Sequence, residues 1–275
     1  MKTLYISDLD GTLLNEKVEL SDYTISSLNS MIQKGVHFTI ATARTAASVV
    51  KIMEAVSIQI PIILMNGVLI YDIPSKKYLK IEGLTNQSIQ SITSILKENK
   101  LNGFMYEVKD HILATYYQSL DTKALKDFHD ERVNKYQKKF IQVSDFNQVD
   151  PAHIIYFALM DTKEKLESAY NQLSQIPDIS LAFYKDIYTE DDIWFLEIFS
   201  VNATKYNAAM YLKSSYNYDR LIGFGDNLND LPLFKACDET YAVKNAKDEL
   251  KRQATTIIES NLDNGVAKWL ERNAL

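Results

Sequence analysis

The chain of 275 residues is long enough for one large α/β domain or for two smaller domains, each with its own core. Its 46% apolar and 24% charged residues are typical of globular proteins and exclude a disordered or fibrous chain. The 36 acidic and 30 basic residues give a net charge of −6 without a basic stripe, which excludes nucleic acid as an expected partner.

Residues 1–83 alternate short apolar runs with amphipathic segments, the pattern of βαβ units around a mainly parallel sheet. A strand over 4–6 leads to a helix that Ser21 caps and Gly35 ends. The elements predicted next are a strand over 36–41, a helix over 45–56, a strand over 61–65 and a hairpin over 68–81.

Residues 84–186 are predicted to form an inserted α+β module with its own core, because helices here are followed by hairpins of alternating strands. Its predicted elements are a helix from Thr85, strands over 104–108 and 112–116, a helix over 121–136, a strand over 154–160, a helix ending at Leu173 and a strand over 179–184, and a strand over 194–199 completes this series. The βαβ rhythm returns after Ala203, with a helix opened by Lys205, a strand over 221–224, a helix over 231–237 and strands over 241–243 and 257–258.

The fold predicted from this order is α/β, with a Rossmann-like core of residues 1–83 and 187–275 that the α+β module of residues 84–186 interrupts. We also expect a cytoplasmic protein without a membrane partner. Asp8 precedes any apolar run long enough for a signal peptide, and the charge-free stretch 55–71 is too polar and short for a bilayer. The single cysteine, Cys237, cannot form an internal disulfide and is expected as a small buried side chain.

Acidic side chains follow two of the predicted core strands. Asp8 and Asp10 come directly after the first strand, and residues two apart on an extended backbone project to the same side. Gly11 permits a sharp turn with close approach to a ligand, and Asp226 follows the strand over 221–224. Ligands bind at the carboxyl ends of parallel strands, and Mg²⁺ prefers oxygen ligands. Asp8, Asp226 and the Asp10 carbonyl therefore predict a magnesium site, although each segment alone also suits a turn or helix cap.

Two other strand ends carry groups suited to phosphate. Thr42 and Arg44 follow the second strand, where a hydroxyl and backbone amides at a helix start can bind phosphate oxygens. A threonine in the position of Thr42 is, taken alone, more often an ordinary helix cap. Lys205 opens a helix after the strand over 194–199, which we interpret as a core strand. A lysine in this place could bind phosphate or balance the charge of the acidic residues. The alternative is a solvent-exposed side chain, as for most lysines.

Together these segments resemble the haloacid dehalogenase-type hydrolases, in the Cof-type, sugar-phosphatase-like branch with an inserted α/β cap. The resemblance spans the chain: residues 8–12 match the DxDGT motif, 41–44 resemble ATGR, Lys205 stands at the third-motif lysine, and 225–230 match GDxxND. Residues 65–67 and 261–267 resemble the NGA and SNxDDGVA segments of that family. Departures occur at Ala43, Val68 and the YAVKNA segment 241–246, none of them an expected catalytic carboxylate.

The resemblance implies a Mg²⁺-dependent phosphatase acting on a small phosphomonoester, such as a sugar phosphate. Asp8 would attack phosphorus to give an aspartyl-phosphate, and Asp10 would act as general acid and then as general base. The metal would be held by Asp8, Asp10 and Asp226. The phosphate would be bound by the Leu9 amide, Thr42, Lys205 and Asn229, with support from Gly11, Thr12, Arg44, Asn66 and Asp230.

Two alternatives share the same aspartyl-phosphate chemistry. A phosphomutase or phosphotransferase would differ only in the final acceptor of the phosphoryl group. A non-enzymatic phospho-aspartate switch also combines acids, Mg²⁺, a threonine and a lysine. Asp10 argues against the switch, because an acid/base beside the nucleophile promotes hydrolysis of the acyl phosphate that a switch must keep.

Overall fold

The computed structural model describes residues 1–186 and 192–274. The chain forms two compact units, unit 1 with Met1–Lys80 and Ala203–Leu275, and unit 2 with Ile81–Asn202. The predicted boundary at residue 187 lies outside the described residues. The other predicted boundary, after residue 83, lies three positions beyond the division at Lys80.

The described ranges contain β-strands and α-helices, each numbered in chain order. The strands are β1 (Thr3–Ser7), β2 (His37–Ile40), β3 (Ile62–Leu64), β4 (Leu69–Asp72), β5 (Lys77–Ile81), β6 (Gly103–Lys109), β7 (Ile112–Tyr117), β8 (Lys139–Gln142), β9 (Ile154–Asp161), β10 (Ile179–Lys185), β11 (Trp194–Ser200), β12 (Arg220–Gly225), β13 (Glu239–Val243) and β14 (Thr256–Ile258). The helices are α1 (Asp22–Gln33), α2 (Ala46–Ile52), α3 (Asn86–Glu98), α4 (Lys123–Tyr136), α5 (Lys163–Leu173), α6 (Lys205–Ser215), α7 (Leu231–Ala236), α8 (Asp248–Lys251) and α9 (Gly265–Asn273). No helix within these ranges is long and apolar enough to cross a bilayer.

Unit 1 is built around a parallel sheet of strand order β14-β13-β12-β1-β2. β1 lies between β12 and β2, so that Ser7 pairs with Phe224 on one side and with Ile40 on the other. Ala41 forms a parallel bridge with Ile63, which places β3 next to β2. The carboxyl ends of β12, β1, β2 and β3 therefore meet at one edge of unit 1.

The helix α1 begins and ends where the sequence predicts, whereas α2 ends at Ile52, four residues before the predicted end at residue 56. The Ser21 hydroxyl accepts from the Thr24 N–H at 3.0 Å and caps α1, and Gly35 follows its end with a φ of +92°. α6 packs small buried side chains, Ala208 and Ala209, against the sheet. Cys237, expected to be buried, is half-buried beside this cluster.

Unit 2 contains a sheet of strand order β10-β11-β9-β6-β7-β8, antiparallel except where β7 and β8 run parallel. α3 and α5 contribute Ile92, Leu96 and Leu166 to a core that also contains Phe157 and Leu196. A mixed α/β architecture with a parallel sheet and a second, separate sheet is thus confirmed.

The interpretation of 194–199 as a core strand is wrong. β11 pairs antiparallel with both β9 and β10, with Phe195 opposite Met160 and Tyr184, and so belongs to the sheet of unit 2. The burial of its side chains shows the difference. Leu196 and Ile198 are fully buried while the intervening Glu197 is not, which is the alternation of a half-buried antiparallel strand rather than the continuous apolar run of a parallel core strand.

Candidate active site

The carboxyl end of β1 carries a buried cluster of charged groups. The Lys205 Nζ lies 2.7 Å from the Asp8 Oδ1 and 2.6 Å from the Asp230 Oδ1. The side chains of Lys205 and Asp230 have 0% exposure, and that of Asp8 has 6%. Buried charges are tolerated when they are paired and hydrogen-bonded, and charge-assisted bonds of this length are strong. Three predicted site residues, distant in sequence, are therefore in direct contact.

A close approach between two backbone segments brings Lys205 to this cluster. Thr204 caps α6 by accepting from the Asn207 N–H at 3.0 Å, which makes Lys205 the first residue of the helix. The turn after β3 has three consecutive residues with positive φ, Met65–Gly67. A Cβ at Gly67 would lie 2.2 Å from the Thr204 carbonyl oxygen, so a side chain at this position would push the start of α6 away.

Asp230 shapes the turn after β12 as well as holding Lys205. Its Oδ2 accepts from the backbone N–H groups of Asp226 at 3.0 Å and Asn227 at 3.2 Å. Gly225 permits this arrangement, since a Cβ there would lie 2.7 Å from the Asp230 Oδ2. Both carboxylate oxygens of Asp230 thus have donors within the protein, which suits the predicted supporting role.

The loop after β1 bends against Asp226. The Leu9 carbonyl accepts from the N–H groups of Thr12, Leu13 and Leu14 at 3.3, 2.9 and 3.0 Å, which turns the chain back directly beyond Asp8. The Thr12 hydroxyl donates to the Asp226 Oδ1 at 3.2 Å. Gly11 has a φ of +76°, and a Cβ there would lie 2.4 Å from the Asp226 Oδ2.

Burial and neighbouring carboxylates perturb the protonation of these groups. Desolvation and the charge of Asp230 raise the pKa of Asp8 well above its usual value, and Lys205 offsets part of this rise. Desolvation and Asp230 likewise raise the pKa of Asp226 to about 6, against the hydrogen bond from Thr12. Burial lowers the pKa of Lys205, but the charges of Asp230 and Asp8 outweigh it and hold that pKa above its usual value. The folded protein therefore disfavours the ionised forms of Asp8 and Asp226, and additional positive charge beside them would stabilise those forms.

The donor set fits a hard divalent cation. Asp8, Asp226 and Asp230 each offer one carboxylate oxygen, and these three atoms lie within 4.8 Å of one another. Oxygen ligands are those that Mg²⁺ prefers, and a single ammonium among three carboxylates leaves the group negative. The glycine at position 11 keeps clear the space beside the Asp226 Oδ2 that a Cβ would fill.

The Asp10 side chain pairs with Arg44 instead of joining this group. The Arg44 Nε donates to the Asp10 Oδ2 at 2.7 Å, and the Nη2 donates to the Oδ1 at 2.7 Å. The Thr42 hydroxyl accepts from the Arg44 N–H at 3.2 Å, and the Thr42 N–H donates to the Ile63 carbonyl at 3.0 Å. Thr42 is fully buried and shapes the turn that presents Arg44.

Asn66 links the turn after β3 to two neighbouring strand ends. Its N–H donates to the Thr42 carbonyl at 3.0 Å, and its Oδ1 accepts from the Asn229 Nδ2 at 3.3 Å. Thr42 follows β2 and Asn229 follows β12. Every predicted site residue therefore lies at the same edge of unit 1.

Two asparagines with no role predicted from the sequence hold the loop after β1. The Asn245 Nδ2 donates to the Gly11 carbonyl at 2.7 Å, and its Oδ1 accepts from the Asn261 N–H at 3.1 Å. The Asn261 Nδ2 donates to the Leu14 carbonyl at 2.8 Å. Asn261 lies in the segment 261–267 that carries part of the family resemblance, which was the available signal, whereas Asn245 lies in the departing segment 241–246. Spacing alone assigns neither residue a partner.

Known proteins resemble this chain over its full length. The family model for haloacid dehalogenase-like hydrolases matches residues 5–270. A Mycoplasma genitalium protein named "Putative phosphatase MG265" is 29% identical, with 97% of this chain and 96% of that protein aligned. The 5-amino-6-(5-phospho-D-ribitylamino)uracil phosphatase YwtE of Bacillus subtilis is 25% identical, with 99% and 98% aligned. The structure of a haloacid dehalogenase-like hydrolase from Bacteroides thetaiotaomicron superimposes with a TM-score of 0.81 at 21% identity, over 99% of both chains. The chain belongs to the haloacid dehalogenase-like hydrolases.

Proposed function

We propose that this hydrolase is a Mg²⁺-dependent phosphatase that hydrolyses a small phosphomonoester through an aspartyl-phosphate on Asp8. The observation that carries the proposal is the buried contact of Lys205 with Asp8 and Asp230, with Asp226 beside them at the same strand ends. The names of the two relatives described above support it, since both contain the word phosphatase and one names a small phosphorylated metabolite.

Asp8 is the proposed nucleophile. The contact of its Oδ1 with Lys205 fixes the orientation of the carboxylate, so that the other oxygen can form a bond to phosphorus while the bond from phosphorus to the leaving oxygen breaks. Lys205 also opposes the repulsion between the carboxylate and an anionic phosphate. Asp8, Asp226 and the Asp10 carbonyl would hold Mg²⁺, which supplies further positive charge against that repulsion.

Asp10 is the proposed acid and base. Its carboxyl proton passes to the leaving oxygen as that oxygen departs. The resulting carboxylate then takes a proton from the water that attacks the phosphorus of the Asp8 phosphate, which releases inorganic phosphate and restores Asp8. The Leu9 amide, Thr42, Lys205 and Asn229 would bind the transferring oxygens.

The test is release of inorganic phosphate from a panel of small phosphomonoesters, with Mg²⁺ or with excess chelator. We expect turnover only with the cation and none in Asp8→Asn, which keeps the shape of the side chain but not its charge. Asp127→Asn, which changes a carboxylate of 63% exposure on α4, is the matched control and should behave as the wild type. Turnover in chelator, or in Asp8→Asn, would contradict the proposal. Substrate loss without equal phosphate release would favour a phosphotransferase.

A further inference from the structure

Arg44 and Asp10 form a bidentate ion pair. Both Asp10 oxygens accept a guanidinium N–H at 2.7 Å, one from the Nε and one from the Nη2. The planar fork of arginine matches a carboxylate in this way, and two parallel bonds fix both the position of the carboxylate and the plane in which it lies.

Asp10 needs such a partner because its surroundings leave it room to move. Its side chain is 39% exposed, in contrast with the 6% exposure of the Asp8 side chain. An exposed carboxylate samples several rotamers, and a proton-transfer group that is misplaced by about 1 Å can lose about 10²-fold in rate.

Arg44 is itself anchored at its backbone. Its N–H donates to the Thr42 hydroxyl at 3.2 Å, and its carbonyl accepts from the Met65 N–H at 3.1 Å. Its side chain is 22% exposed. The turns after β2 and β3 thus form a frame from which the guanidinium reaches Asp10.

The pair leaves Asp10 able to transfer a proton. A carboxylate has about four lone-pair positions, of which the guanidinium takes one on each oxygen. We propose that Arg44 is a positioning residue that holds the Asp10 carboxyl in the orientation for proton transfer to the leaving oxygen of the substrate. This inference rests on the proposed phosphatase function. In the step concerned, the proton leaves Asp10 for the leaving oxygen as the bond from phosphorus to that oxygen breaks.

The test uses aryl phosphates that differ in how much the leaving oxygen needs a proton. Phenyl, 4-nitrophenyl and 2,4-dinitrophenyl phosphate present the same phosphate group, and phenol is the poorest leaving group of the three. kcat and KM are measured separately, and their ratio kcat/KM reports the steps up to cleavage of the ester bond. The variants are Arg44→Gln, Arg44→Lys, Asp10→Asn and Arg44→Gln combined with Asp10→Asn. Arg272→Gln is the control, since Arg272 makes a 2.8 Å bond to Glu259.

We expect Arg44→Gln to lower kcat/KM for phenyl phosphate by about 10²-fold, with a loss that shrinks steadily toward the dinitrophenyl ester. Arg44→Lys should show the same gradient, because it keeps the charge but not the fork, and it also serves if Arg44→Gln fails to fold. In the Asp10→Asn background, Arg44→Gln should cause no further gradient.

An equal loss for all three esters, or a loss confined to KM, would overturn the inference, because Arg44 would then bind the phosphate itself. A further gradient on top of Asp10→Asn would overturn it as well. Failure of the proposed function looks different. A wild-type enzyme that releases no phosphate from these esters or from the phosphomonoester panel refutes phosphatase activity before any variant is made.

Discussion

Replacing Lys205 by methionine removes the ammonium and keeps a flexible side chain of similar length. The Lys205 Nζ contacts Asp8 and Asp230 at 2.7 and 2.6 Å, and the side chains of Lys205 and Asp230 are fully buried. Removing one partner of a buried ion pair costs about 3–5 kcal/mol, because it leaves an uncompensated charge. We therefore expect Lys205→Met to lower the free energy of unfolding by about 3–5 kcal/mol near neutral pH, in the absence of divalent cations.

The loss of free energy of unfolding caused by Lys205→Met should grow as the pH rises. Burial and Asp230 already raise the pKa of Asp8, and loss of the ammonium raises that pKa further. A carboxyl whose pKa is higher in the folded than in the unfolded protein stabilises the fold below its ordinary pKa, and this contribution is lost as the pH rises through the folded value. Lys205→Met should therefore be closer to the wild type at about pH 5 than at about pH 8.

Urea unfolding followed by tryptophan fluorescence measures the free energy of unfolding at each pH. A Trp194→Phe background leaves Trp269 on α9 as the reporter of unit 1. Lys213→Met is the matched control within unit 1, since it removes an ammonium of 24% exposure that pairs with Asp238 at 3.3 Å, and we expect a change of about 0–1 kcal/mol. A loss for Lys205→Met no larger than that of the control, or one equal at both pH values, would refute the reasoning.

Two further predictions concern the cation. Gly11→Ala places a Cβ where the Asp226 carboxylate lies, so it should weaken the stabilisation of the folded protein by added Mg²⁺ in a thermal melt. Gly35→Ala, with a comparable φ of +92° but nothing within 4 Å of the new Cβ, should reduce stability without changing the response to Mg²⁺. In the wild type, added Mg²⁺ should raise the melting temperature more at about pH 8 than at about pH 5, because Asp226, with its pKa raised to about 6, must be ionised to bind a cation. A response to Mg²⁺ that does not increase with pH would contradict this assignment.

The core strands could be predicted because buried parallel strands are marked by apolar runs. Three other elements, the strand β8 and the helices α8 and α9, could not be predicted. β8 is an edge strand of four residues, exposed or half-buried, that pairs only with β7 among the described strands. α9 begins after Asn264, which has a φ of +59° and makes no side-chain cap, so the usual signal of a helix start is missing.

Within the candidate site, the sequence analysis identified residues but not their partners. Asp8, Asp10 and Asp226 follow apolar strands, and that pattern is visible in one dimension. The pairing of Asp10 with Arg44 and of Gly11 with Asn245 joins loops that lie 34 and 234 positions apart. Such contacts depend on how the strand ends are ordered in the sheet, which spacing along the chain does not encode.

The pairing of β1 with β12 has a consequence for the order in which the protein can fold during synthesis. The Lys2 N–H donates to Asp219, 217 positions later, whereas the sheet of unit 2 is complete within Ile81–Asn202. Unit 2 can therefore collapse while the ribosome is still making β12. Until β12 is made, the edge of β1 that pairs with it stays unpaired, although β1 contains the apolar residues Leu4 and Ile6. Unpaired strand edges of this kind are prone to aggregation, so we expect fragments that end before β12 to be recovered mainly as insoluble protein.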